Sequence, residues 1–261
     1  MNLNRPKWQL KQMPIAILNR PYPKDPINEA VIHIATAGKA TPENIQKFAR
    51  HFVDEYPHQE MLAALDLFID ATGGAAQMKQ QMQGFRLTSI TNPDIIMVFP
   101  EGVAAARLAP YYGWEQLRNK AQRAWSEWHR LGNPASIQRI GVRYINRLDL
   151  PVNHSTQLEL NDYLNFFPKV PRFSRWPLVG FVAQVTVPTD LDKWSVSLTS
   201  TIVNPPPLIN TVSILLDIDI FRSEEIPTKE DLLWNCIDLV RPLKNQIFEA
   251  CITDSSRKLF G

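Results

Sequence analysis

Residue types able to do chemistry concentrate in Arg139-Ile-Gly-Val-Arg143-Tyr-Ile-Asn146-Arg147-Leu148. The segment reads as a β-strand, in which residues two apart share a face. Arg139, Gly141, Arg143, Ile145 and Arg147 then point one way, and Ile140, Val142, Tyr144, Asn146 and Leu148 the other. The guanidiniums recur every four residues, ~13 Å along the strand, a spacing that could track a phosphate backbone or an acidic partner. Arg172-Phe173-Ser174-Arg175-Trp176 is a second basic cluster, with aromatic rings of the kind that stack on bases or dock a protein. Arg139, Arg143, Arg147, Asn146, Arg172, Arg175 and Trp176 are therefore the candidates for binding a partner or a nucleic acid.

Among carboxylates the best pair is Asp217 and Asp219, one face of a strand whose other face carries Leu216, Ile218 and Ile220. Two acids so placed could hold a divalent metal or act as acid and base. No third acidic or histidine ligand is near in sequence, which favours the alternative reading, cross-strand salt bridges to Arg143 and Arg147. No cofactor is expected. Gly73-Gly74 leads into Ala75-Ala76-Gln77, without the Lys-Ser or Lys-Thr of a phosphate loop, and no G-x-S-x-G, H-E-x-x-H or zinc-type Cys/His spacing occurs. His33, His51, His58, His129 and His154 are scattered and read as structural. No residue is assigned a catalytic role.

Composition narrows the classes further. Lys and Arg number 28 against 26 Asp and Glu, too even for a dedicated nucleic-acid binder, so any basic function is a local patch. With 44% hydrophobic residues a sizeable core is expected. Cys236 and Cys251 fall fifteen residues apart on one expected helix. At ~1.5 Å per residue that separation is ~22 Å, far beyond disulfide reach, which fits a reducing, cytoplasmic setting. Neither a secretion signal nor a membrane span is visible.

These residues need elements to position them. Residues 1–28 hold several prolines and read as an N-terminal arm; Ile27 to Ala35 is a first strand. Thr41-Pro42 starts a helix that ends at Tyr56-Pro57. Period-two spacing over 62–107 predicts an antiparallel meander, with the polar Gly73 to Gln83 stretch as a long loop or hairpin tip. A helix over Gly113 to Leu131 aligns Trp114, Trp125 and Trp128 on one side. Beyond the arginine strand come three strands, Val179 to Val187, Trp194 to Val203 and Thr211 to Phe221. A last helix opens at Thr228, with Asp231 completing a capping-box-like start, and is kinked by Pro242. The expected fold is α+β: a largely antiparallel, twisted sheet in two similar halves, 29–152 and 153–261, within one domain or two, and long amphipathic helices packed on one side.

Arg143-Tyr144-Ile145-Asn146-Arg147, with Tyr112-x-Trp114 before it, resembles the signature of a sporadically distributed bacterial family of about this length that has no assigned activity. Arg20-Pro21-Tyr22 through Ile27-Asn28-Glu29-Ala30 and Asn245-x-x-Phe248-Glu249 are similar to it too. The resemblance implies a cytoplasmic bacterial protein with the patchy distribution of defence-linked genes, and brings no catalytic residues. The expected function is a non-enzymatic binding or regulatory subunit, antitoxin-like or defence-associated, meeting a protein partner or a second copy of itself. The alternative is an RNA- or DNA-binding or processing protein using the arginine stripe. CRISPR RNA-processing endonucleases have a similar two-half plan but end in a glycine-rich loop, which the terminal Ser255-Ser-Arg-Lys-Leu-Phe-Gly261 lacks.

Overall fold

The computed structural model describes residues 21–69, 76–90, 93–132, 136–152, 158–169, 179–203 and 206–261. Its centre is a pair of long strands, β1 (Ile27–Ala37) and β6 (Ser136–Pro151), hydrogen-bonded antiparallel. From β1 the chain crosses through α1 (Pro42–His51) to one edge of the sheet, β2 (His58–Ile69). It then steps back inward through β3 (Ala76–Thr88), β4 (Asp94–Phe99) and β5 (Gly102–Leu108). Helix α2 (Trp114–Gly132) leads into β6, and a 3-10 turn at Leu160–Asp162 follows. The path reaches the other edge at β7 (Val182–Pro188) and returns by β8 (Trp194–Val203) and β9 (Thr211–Arg222). The result is one nine-stranded antiparallel sheet, ordered β2-β3-β4-β5-β1-β6-β9-β8-β7. Three helices close the chain: α3 (Glu230–Asp238), α4 (Val240–Cys251) and α5 (Asp254–Leu259).

The helices cover one face. Strand β6 shows why: Ile140, Val142, Tyr144, Asn146, Leu148 and Leu150 are all buried, whereas Arg143 on the alternate face is exposed. Trp114, Leu117, Ala121, Ala124, Trp125 and Trp128 of α2 fill the space above the sheet, and the Trp125 and Trp128 rings stack at 5.9 Å. At roughly 25 cal/mol per Å² such aromatic surface is the largest stabilising contribution per residue in the layer. Thr41 caps α1 by accepting from Asn44 N at 3.3 Å, with Pro42 in the first turn where its missing N–H costs nothing.

Four expectations change. Strand β3 begins at Ala76 and pairs with β2 along its length, so most of the stretch read as a loop is strand; the rest lies outside the described residues. Backbone pairing across a long hairpin outweighs the polar composition of that stretch. The two halves are not alike: among the described residues, six strands with helices of ten and nineteen residues stand against three strands and three short helices. The last helix is not one kinked rod but breaks at Leu239, which places Pro242 in the first turn of α4. That position spares Pro242 the steric clash and lost hydrogen bond it would cause mid-helix. Lys229, not Thr228, is the N-cap of α3, and no side chain caps it.

Within the helix-facing layer lies a buried ionic cluster. Arg107 donates to Asp94 at 2.8 Å, both side chains being only 4% exposed, and Lys120 of α2 contacts the same carboxylate. Arg107 also donates to the Pro110 carbonyl at 3.0 Å and lies over the Tyr112 ring. Removing the carboxylate leaves two cations in a low-dielectric layer. Asp94→Asn is expected to lower unfolding stability by ~3–5 kcal/mol, read as a drop in the urea midpoint at unchanged slope; an unmoved midpoint would refute the role given to this cluster.

Candidate functional site

Two places gather polar side chains, one on each face of the sheet centre. On the open face the three arginines of β6 stand in line, and each has a carboxylate. Arg139 donates to Asp219 at 2.7 Å, Arg143 makes a two-pronged contact to Asp217 at 2.6 and 2.8 Å, and Arg147 reaches Asp149 at 3.2 Å. The backbone register sets Arg143 directly opposite Asp219, so the pairs form on the diagonal. Gly141 makes this slant feasible: a side chain there would collide with the Arg139 guanidinium, which also lies 4.9 Å from the centre of the Phe221 ring. Asp149 is further held by Ser213, whose hydroxyl donates to it at 2.6 Å. The expected link between Asp217/Asp219 and the stripe therefore exists, with Arg139 taking the place expected for Arg147.

The pairs shape the titration of their surroundings. Partial burial raises the Asp219 carboxyl above the usual carboxylate range, and the Arg139 and Arg143 charges oppose that rise. His33, on β1 opposite Gly141, is driven down to about 4, first by burial and then by the Arg139 charge. Next to the pairs β8 offers Ser195, Ser197, Thr199 and Thr201, which register opposite Phe221, Asp219, Asp217 and Leu215 on the same face. Asn146 belongs to the other face: it is buried and donates to the Leu216 carbonyl at 3.2 Å, so it is separated from the arginines it neighbours in sequence. Arg172, Arg175 and Trp176 lie outside the described residues. Among the described residues no group of three or more His, Cys, Asp or Glu could hold a metal ion. No helix among them is long and apolar enough to cross a membrane.

The second place is a cavity of about 200 Å³ lined by β6, β9, α4 and the 21–27 segment. Lys244 of α4 points into it, donating to Asn245 Oδ1 at 2.6 Å, with Nζ 4.4 Å from the centre of the Tyr144 ring. Burial pulls Lys244 down to about 8, opposed by the Asp25 charge and aided by Arg241. Asp25 stands at the rim, accepting from Ile27 N at 2.9 Å; partial desolvation raises its carboxyl above the usual range, opposed by that hydrogen bond and by the Lys244 charge. Tyr111 and Tyr144 pair their hydroxyls at 3.0 Å, and burial pushes Tyr111 up to about 12. Glu249 is fully engaged, by Tyr22 at 2.6 Å and Arg257 at 2.8 Å. Lys244 was absent from the residues expected to act, although the signal is in the sequence: it falls on the apolar stripe Val240, Leu243, Ile247, Cys251 of a helix.

No family model matches this chain, and no curated protein matches it either.

The depressed Lys244 has a measurable consequence. Between about 8 and its ordinary value of 10.5 the folded chain binds fewer protons than the unfolded one, so this residue's contribution to stability rises with pH across that window. Tyr111 and Cys251, both pushed up to about 12 by burial, act in the opposite sense once the unfolded chain ionises them. The comparison with a variant isolates the lysine. Lys244→Met is expected to be more stable than the parent by roughly 1–3 kcal/mol near neutral pH, with the gap narrowing toward about pH 10, read by thermal unfolding. A gap that is absent or does not change with pH would show that Lys244 is not desolvated.

Proposed function

We propose that this protein is a non-enzymatic binding subunit that meets a protein partner through the open face of its sheet. The observation that carries the reading is the pairing of Arg139, Arg143 and Arg147 with Asp219, Asp217 and Asp149. A phosphate track needs cations whose charge is still available, since affinity for nucleic acid comes from guanidinium and ammonium groups neutralising phosphates. Here each guanidinium is already matched. What the face offers instead is a fixed pattern of alternating charge beside a field of hydroxyls, the kind of surface that selects a partner by register and complementarity. The β7 edge extends it, with Val182 72% exposed on a strand whose outer edge pairs with no other strand among the described residues. The likeness of the Arg143 to Arg147 segment to a patchily distributed bacterial family supports a defence-linked or antitoxin-like role in the cytoplasm.

Half-exposed ion pairs contribute ~1 kcal/mol or less each, so a chain carrying Arg139→Ala, Arg143→Ala and Arg147→Ala together is expected to stay folded. Affinity purification from the native host should recover a protein with the parent chain that the triple variant fails to recover. Recovery of this chain alone would sink the reading. Retention of the parent on single- or double-stranded nucleic acid at low ionic strength, released by salt and lost in the triple variant, would replace it with nucleic-acid binding.

A further inference from the structure

We propose that the cavity between β6, β9 and α4 binds a small zwitterion of the α-amino-acid class, its carboxylate toward Lys244 and its ammonium toward Asp25. The inference begins with two opposite charges that share a pocket and do not meet. Lys244 makes a hydrogen bond to Asn245 and a ring contact to Tyr144, and no carboxylate among the described residues forms an ion pair with it. Asp25 lines the same cavity at its rim and accepts from a backbone N–H. A desolvated ammonium without a counter-ion in contact is costly, and the cost persists unless a ligand supplies the anion; the exposed Asp25 carboxylate at the rim is then placed to take the ligand's cationic end. The one other carboxylate lining the cavity, Glu249, is already neutralised by Arg257 and does not compete for the lysine.

The remaining lining sorts by chemistry in the same direction. One of the Tyr111 and Tyr144 hydroxyls donates to the other across 3.0 Å, which leaves the accepting hydroxyl's own proton to donate. That donor and the Lys244 ammonium together suit a carboxylate. At the rim, the Asp25 carboxylate suits an ammonium. Phe248 and the tyrosine rings supply flat apolar walls, favouring an aliphatic or aromatic side chain over a charged one. Size agrees: about 200 Å³ is below the ~300–1,000 Å³ of drug-sized sites, yet at ~15 Å³ per atom it holds on the order of ten non-hydrogen atoms.

The groups around Lys244 also set a pH dependence. Asp25 from the 21–27 segment, Arg241 of α4, Tyr111, Tyr144 of β6 and the Glu249/Arg257 pair are the charged and titratable neighbours. Of these and Lys244 itself, the lysine is the group that loses charge near pH 8, so carboxylate capture should weaken as pH rises through that value.

The test is isothermal titration of the full chain with L-leucine and L-phenylalanine, each beside its one-charge relatives. For L-phenylalanine these are 3-phenylpropionate, which lacks the ammonium, and phenethylamine, which lacks the carboxylate. At least one amino acid should bind near neutral pH, with either relative weaker by roughly tenfold or more, since each lacks one charge-assisted contact. Lys244→Met and Asp25→Asn should each lose a similar factor, and binding by the parent should weaken above pH 8. Because Asp25 lies at the exposed rim, Asp25→Asn is expected to fold as well, so the two variants test the two charges independently. No binding by either amino acid, equal binding of a one-charge relative, or binding unchanged in Asp25→Asn would overturn the proposal. None of these outcomes bears on the open face, since the arginine pairs lie on the opposite side of the sheet.

Discussion

The constraint on which everything else rests is the register of β6. Its even-numbered residues from Ile140 to Leu150 are buried to the last, and its odd-numbered ones carry the three arginines. Side chains in a strand alternate with a period of two, so a slip of one residue would drive three guanidiniums into the helix layer and expose Val142, Tyr144 and Leu148. No other register is affordable in free energy. With β6 locked, its partners follow: β1 is pinned on one side and β9 on the other, and Asp217 and Asp219 come to rest beside the arginines.

The same strand separates two environments. On its open side water screens the charges, and the Arg–Asp pairs are worth little individually but set a pattern. On its covered side the polar groups of Tyr144 and Asn146 lie under helices, where each needs a partner. Asn146 finds the Leu216 carbonyl, and Tyr144 finds the Tyr111 hydroxyl and the Lys244 ammonium over its ring. A cavity with mixed donors and acceptors results because these groups are too large and too polar to be packed against one another like aliphatic side chains. The Asp94, Arg107 and Lys120 cluster deals with the same problem elsewhere in the layer by direct contact.

Much of this was legible in the residues. Alternation located the meander and the strand pairs, tryptophan spacing located the buried side of α2, and Thr41-Pro42 marked the start of α1. Where expectation and fold part, the cause is non-local. Residues 76–83 are polar enough to read as a loop, yet β2 pairs with all of them but Gln83, which sits at a bulge. Pro242 is compatible with a kink or with a new first turn, and the packing of α4 over β9 selects the break at Leu239. Lys244 was legible as a lysine on an apolar helix stripe, but long side chains of that kind more often reach past the stripe into water.

By itself the sequence determined which residues share a face: the arginines together, the acids of β9 together, Tyr144 and Asn146 away from both. That information is local, because strand and helix periods act between residues a few positions apart. Only the tertiary structure decided who meets whom. Arg139, rather than Arg147, reaches Asp219; Arg147 turns to Asp149 on its own strand; and Asp25 and Lys244, more than two hundred positions apart, come to face one cavity. Those choices depend on the register between strands and on how the helices settle over the sheet, quantities fixed by burial across the whole chain and carried by no single stretch of it.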